Sequence, residues 1–215
     1  MSELLNFQSI DDFSFAFVRH GATDFNLRGL RCGGDLDLPL AETAYQPILE
    51  LGCWLRSQKI HFGKILCGNL LRVRQTALLL SGVLDALPVL SIADLDERHL
   101  GDWNGRPIAE TEALLQAQQT PAGGESEAEF ALRIRRALSE IYRQRNQRPL
   151  VISSQGVARV FYGMLGGAGR LRLGNGEWVE FARTTHAETQ NVSLQLRRRL
   201  PATAHASAGS GDGAS

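Results

Sequence analysis

The chain has 215 residues, 43% of them apolar, which suits one globular domain able to bury a sizeable core without staples. Basic and acidic residues both number 23, so the formal charge is zero, which argues against a nucleic-acid sleeve and against a membrane-surface module. Only Lys59 and Lys64 among the basic residues are lysines; the others are arginines, the better bidentate binders of phosphate and carboxylate, although a coding bias gives the same skew.

Cys32, Cys53 and Cys67 are odd in number, far apart and without C-x-x-C spacing, so neither a disulfide framework nor a zinc site follows. The first residues lack the basic and apolar regions of a signal peptide. The greasiest run, Ala77 to Leu84, is too short to span a bilayer. A soluble, cytoplasmic protein is expected.

Short apolar runs bounded by Gly, Pro or polar residues alternate with helical patterns along the chain. Phe13 to Val18 is a strand candidate that ends at Arg19-His20-Gly21. A helix is expected near Ile48 to Ser57, its start limited by Pro47. Lys64 to Cys67 is a strand ending at Gly68-Asn69, and Leu70 to Leu80 a helix. Val89 to Ile92 is a third strand, running into Asp94 to Glu97. Ser126 and Glu129 form an S-x-x-E capping box for a helix reaching about Gln147, with Phe130, Ile134, Ala137, Leu138 and Ile141 on its apolar face. Leu150 to Ile152 is a strand ending at Ser153-Ser154, and Val157 to Leu165 a helix. Asn175-Gly176 fits a hairpin turn between edge strands. Residues 201–215, small and polar, are expected to be a disordered tail. The alternation predicts an α/β sandwich with a mostly parallel sheet flanked by helices.

In open α/β sheets ligands sit beyond the carboxyl ends of the strands. The residues placed there are Arg19-His20, Asn69 to Arg72, Glu97 and Ser153-Ser154. A histidine directly after a buried strand can act as nucleophile or general base. Arg19 would hold an anion bidentately, and Thr23 and Asn26 add neutral donors. Arg72 falls in the first turn of a helix, an unfavourable place for a cation unless an anion is bound there. Arg74 reads as a solvated neighbour. Glu97 could protonate a leaving oxygen; Asp94, Asp96 and Asp102 compete with it on spacing alone.

Five ordered blocks resemble the histidine phosphatase superfamily, the phosphoglycerate-mutase-like proteins. They are Arg19-His20-Gly21-x-Thr23-x-x-Asn26, Asp37-x-Pro39-Leu40, Leu70-x-Arg72-x-x-Gln75-Thr76-Ala77, Leu95-x-Glu97-x-x-x-Gly101-x-Trp103-x-Gly105, and Gly124-Glu125-Ser126 with Phe130 and Arg133. The resemblance implies a phosphoglycerate-mutase-like domain over residues 1–200, acting on a small phosphorylated substrate without metal or other cofactor. It implies that His20 becomes phosphohistidine, that Arg19 and Arg72 hold the phosphoryl oxygens with Thr23 and Asn26, and that Glu97 serves as acid and then base.

One block departs from the family. Ser153-Ser154-Gln155-Gly156-Val157-Ala158-Arg159 places Ser154 where the family has its second active-site histidine. Losing one preorganised donor lowers kcat by about 10²–10³. Three consequences stay open: a slow phosphatase, a silent phosphoester-binding module, or another residue, such as His99 or His186, taking the histidine's place. Glu97-Arg98-His99 also resembles the mutases of the family, but those carry a long insertion after the acid loop. Only 19 residues, 106 to 124, lie between Gly105 and Glu125, which favours a phosphatase with an open pocket. Specificity is expected from residues 28–36, 98–125 and the segment after Leu165.

Overall fold

Alternation of side chains along the strands decides the layers. In the computed structural model, which describes residues 12–185 and 192–199, strand β1 (Phe13–Arg19) sends Phe13, Phe15 and Phe17 to one side and Ala16 and Val18 to the other. Both faces of such a strand are apolar because both are covered by helices. Helix α1 (Asp24–Leu27) is a single turn, and α2 (Tyr45–Ser57), β2 (Lys64–Cys67), α3 (Leu71–Val83), β3 (Val89–Ser91) and α4 (Ile108–Gln116) follow in order. Helix α5 (Glu127–Arg143), β4 (Pro149–Ser153), α6 (Gln155–Met164), β5 (Trp178–Thr185) and β6 (Val192–Arg199) complete the described chain.

The six strands form one sheet in the order β3-β2-β4-β1-β5-β6. The first four are parallel, while β5 runs antiparallel to both β1 and β6. The β1 phenylalanines, Val151, Val179 and Phe181 pack under α5 and α6. Val18, Ile65 and Ile152 pack under α2 and α3. The expected three-layer sandwich with a mostly parallel sheet is therefore found, with an antiparallel pair added at one edge.

The local signals account for most boundaries. Ser126 and Glu129 cap α5 reciprocally, and Phe130, Ile134, Leu138 and Ile141 are fully buried along one stripe. The helix stops at Arg143, short of Gln147, and a 3-10 turn finishes the segment. Helix α2 starts three residues before Ile48, because Pro47 lies in its first turn, where no intrahelical bond to its nitrogen is needed.

Within residues 106–124, Ile108–Gln116 forms α4, whose start is tied to the loop after α1 by Ile108 N–H donating to Gly29 O at 2.8 Å. One expectation needs correction. Asn175-Gly176 does turn, but not between two hairpin strands. The residues before it pair with a side chain instead: the Gln155 amide donates to Leu171 O at 2.7 Å and accepts from Leu173 N–H at 2.8 Å. The proposed tail at 201–215 and His186 lie outside the described residues. No described helix is long and apolar enough to cross a membrane.

Candidate active site

The parallel register brings the strand ends together. Arg19 pairs with Ser153 across β1 and β4, and Cys67 with Ile152 across β2 and β4. The next residues, His20, Ser154 and the turn into α3, therefore meet at one end of the sheet.

The backbone just past β1 is held on several sides. His20 N–H donates to Ser153 O at 2.8 Å, and Gly21 N–H donates to Thr76 Oγ1 at 3.1 Å. A Cβ on Gly21 would press on Leu40, Ala44 and Ile48 at 3.0–3.3 Å, so a larger residue would push the loop off α2. The His20 ring is buried, with Nδ1 2.7 Å from Gly21 O. A carbonyl only accepts, so Nδ1 carries the proton and Nε2 keeps its lone pair. Burial, then Arg72 and Arg19, depress the imidazole pKa well below 6.5.

Two guanidiniums flank it. Arg19 donates to Leu173 O at 2.6 Å; burial, with Arg72 adding to it, brings its pKa down to about 10 against the opposing pull of Glu97 and Glu177, so it stays charged. Arg72 is fully buried in the first turn of α3 and donates to Leu36 O at 2.7 Å and Gly33 O at 3.1 Å. Nε of each arginine is buried without a hydrogen-bond partner, and so is Ser154 Oγ. Ser154 is the N-cap residue of α6, yet its hydroxyl makes no cap bond.

Thr23 and Asn26 lock each other. Asn26 N–H donates to Thr23 Oγ1 at 3.2 Å and Thr23 N–H to Asn26 Oδ1 at 3.0 Å. Asn175, which the sequence reading assigned only to a turn, donates to His20 O and to Asn26 Oδ1, both at 3.1 Å. An Asn-Gly pair is a turn signal in any sequence, so nothing marked this one as a brace.

Glu97 reaches the site from the loop after β3. Its oxygens accept from Arg98 N–H at 2.8 Å and Gly156 N–H at 3.0 Å, and a Cβ on Gly156 would collide with the carboxylate. Arg133 of α5 holds the loop from below. It pairs with both Glu125 oxygens and donates to Asp96 O at 2.6 Å and Glu97 O at 2.8 Å. The competing acids have other partners. Asp94 pairs with Arg136, Asp96 accepts from Asn69 N–H, and Asp102 is exposed. Arg74, His61 and His99 are exposed.

A cavity of about 250 Å³ opens beside these residues, with Arg19, Asn26 and Glu97 in its wall. His20, Thr23, Arg72 and Ser154 are buried and are not part of that wall, and neither is His99. Much of the rest of the wall comes from the segments expected to set specificity, with Arg31 and Cys32, then Leu100, Ile108, Glu112 and Leu115, then Arg170 to Leu173, while Phe130, Gln155, Gly156 and Arg159 come from α5 and α6. Among the described residues no group of three or more His, Cys, Asp or Glu is placed to hold a metal ion.

The site sets a buried histidine between two arginines, beside a carboxylic acid, at the end of a mostly parallel sheet. The chain belongs to the histidine phosphatase superfamily (branch 1), whose family model matches residues 15–198. It is 30% identical over 141 residues to fructose-2,6-bisphosphatase TIGAR B of Danio rerio, covering 61% of this chain and 54% of that protein. Its match therefore spans about half the length of that relative. It is 28% identical over 198 residues to glucosyl-3-phosphoglycerate phosphatase of Mycolicibacterium vanbaalenii, covering 80% of this chain and 84% of the relative. Among solved structures, a mycobacterial glucosyl-3-phosphoglycerate phosphatase complexed with VO3 superposes with a TM-score of 0.71 at 24% identity, covering 87% of this chain and 99% of the other. That likeness confirms the phosphoglycerate-mutase-like fold.

Proposed function

We propose that the protein hydrolyses a small phosphomonoester through a phosphohistidine at His20. The observation that carries this reading is the set of three buried donors without partners, Arg19 Nε, Arg72 Nε and Ser154 Oγ, around a neutral histidine. Buried donors are ordinarily satisfied, and a group left without a partner is a place where a ligand atom fits. Two buried guanidiniums next to each other call for an anion.

In the first step the Nε2 lone pair attacks phosphorus as the bond to the ester oxygen breaks. Glu97 in its acid form gives its proton to the leaving alkoxide, so a neutral alcohol departs. Arg19, Arg72 and Ser154 hold the three equatorial oxygens, and Asn26 and Thr23 complete the cradle. In the second step Glu97, now a carboxylate, takes a proton from water as that water attacks phosphorus. The N–P bond breaks and returns its electron pair to His20. The neutral hydroxyl of Ser154 supplies less charge than the family's histidine would, which makes the steps slow. The relatives named as phosphatases support this reaction class, and their named substrates are small phosphorylated molecules.

The test is turnover of p-nitrophenyl phosphate from pH 5 to 8 by wild type, Ser154→His and His20→Ala. Slow wild-type turnover, abolished by His20→Ala and raised by about 10²-fold in Ser154→His, is expected. Wild type equal to the His20→Ala background would reduce the protein to a phosphoester-binding module.

A further inference from the structure

Outside the phosphate cradle, three arginines crowd one carboxylate. Arg31, Arg170 and Arg172 all pair with Glu112 of α4: Arg31 at 2.6 Å, Arg172 at 3.3 Å and Arg170 in closer contact. One carboxylate cancels one charge, so this cluster carries two positive charges in excess. Arg19 and Glu97 lie in the same wall, and Arg98 and Arg159 share Glu127.

They come from two segments far apart in sequence, residue 31 and residues 170–172, so helical spacing does not explain their meeting. Arg31 is the inner member; its side chain is 14% exposed and is braced by Nε donating to Thr111 Oγ1 at 2.7 Å. Burial lowers its pKa, Glu97 opposes that shift and Arg172 adds to it, and Glu97, Arg31 and Arg172 all lie in the wall of the same cavity. Leu30, Ile108 and Leu115 supply an apolar stretch of the same wall. Holding guanidiniums this close is unfavourable in a partly desolvated cavity unless a further anion joins them.

We propose that Arg31, Arg170 and Arg172 form a second anion subsite on the leaving-group side of the cavity, so that the substrate is a phosphomonoester whose alcohol carries a carboxylate or a second phosphate. Glu112 keeps the empty subsite gathered and yields arginine contacts to the incoming anion. The inference rests on the phosphomonoester reading above, because Glu97 marks the leaving-group side only in that reaction.

Non-hydrolysable probes separate the two claims. Titration calorimetry compares methylphosphonate with phosphonoalkanoates and alkane bisphosphonates bearing spacers of increasing length. One or more two-headed probes are expected to bind about tenfold or more tighter than methylphosphonate. The better of the two series tells carboxylate from phosphate. The advantage should fall about tenfold in Arg31→Gln and in Arg172→Gln, and rise in Glu112→Gln. Arg172 is largely exposed, with 70% of its side chain accessible, so its variant stays informative if Arg31→Gln fails to fold.

Two-headed probes that bind no better than methylphosphonate, or an advantage that survives the arginine variants, would overturn the subsite and leave the cradle standing. A Glu112→Gln variant weakened alike for every probe would show that the cluster only pins the loops. Failure of methylphosphonate and every two-headed probe to bind would sink the cradle reading and the subsite with it.

Discussion

His20 sits in the candidate site as a neutral ring, and that neutrality has a measurable stability effect. Burial, Arg72 and Arg19 hold its folded pKa well below 6.5, whereas in the unfolded chain it returns to about 6.5. As pH falls below about 6.5 the unfolded state takes the proton first, so the group's stabilising contribution is present above that pH and is lost on acidification. Urea midpoints of wild type and His20→Gln at pH 7 and pH 5 isolate this effect. Wild type should lose more stability than the variant on acidification, by at most about 1.4 kcal/mol per pH unit for one proton. Parallel losses would mean the ring is charged in the folded protein. At this scale much was legible from sequence: strand ends alone pointed to Arg19, His20, Arg72, Glu97 and Ser154. Asn175 was not, because its brace on His20 O and Asn26 Oδ1 spans about 150 residues and depends on the tertiary path.

Among the elements, those with strong one-dimensional signals were readable and those defined by tertiary pairing were not. Buried parallel strands stand out as apolar runs, and α5 announces itself through its cap and stripe. Helix α4 buries only Thr111, so no apolar period marks it, and β5 owes its place to antiparallel pairing with β1 and β6. The link between elements that matters most for the site is Arg133, which ties α5 to the acid loop through Glu125, Asp96 O and Glu97 O. Lysine cannot reproduce a planar fork reaching that many acceptors. Arg133→Lys should therefore lower stability by about 1–3 kcal/mol and, because Glu97 loses its support, lower kcat more for alkyl than for aryl phosphates. An aryl leaving group departs without a proton and an alkyl one does not, so this ratio separates misplacement of Glu97 from general damage. Equal losses on both substrates would remove Arg133 from the positioning of the acid.

For the whole molecule, the candidate anion site is a weak place in a well-packed sandwich. Fully buried residues line both faces of the sheet, while Arg19 Nε, Arg72 Nε and Ser154 Oγ stand buried without partners at its end. An anion that satisfies those donors binds only the folded state, so it raises stability by RT ln(1 + [L]/Kd), about 2.7 kcal/mol at a concentration of 100 Kd. In a domain of this size that corresponds to a Tm rise of roughly 5–10 °C. Ser154→Ala gives the opposite pair of effects. Removing a buried hydroxyl that bonds to nothing should leave the empty protein as stable as wild type or stabilise it by up to about 1 kcal/mol, while the anion-induced rise shrinks. Thermal melts with and without orthovanadate measure both quantities in one experiment. A Ser154→Ala protein that melts lower when empty yet gains as much from vanadate would show that the hydroxyl serves the fold and not the anion. An empty variant at or above wild type with a smaller vanadate gain would place Ser154 among the groups whose stability is given up for binding.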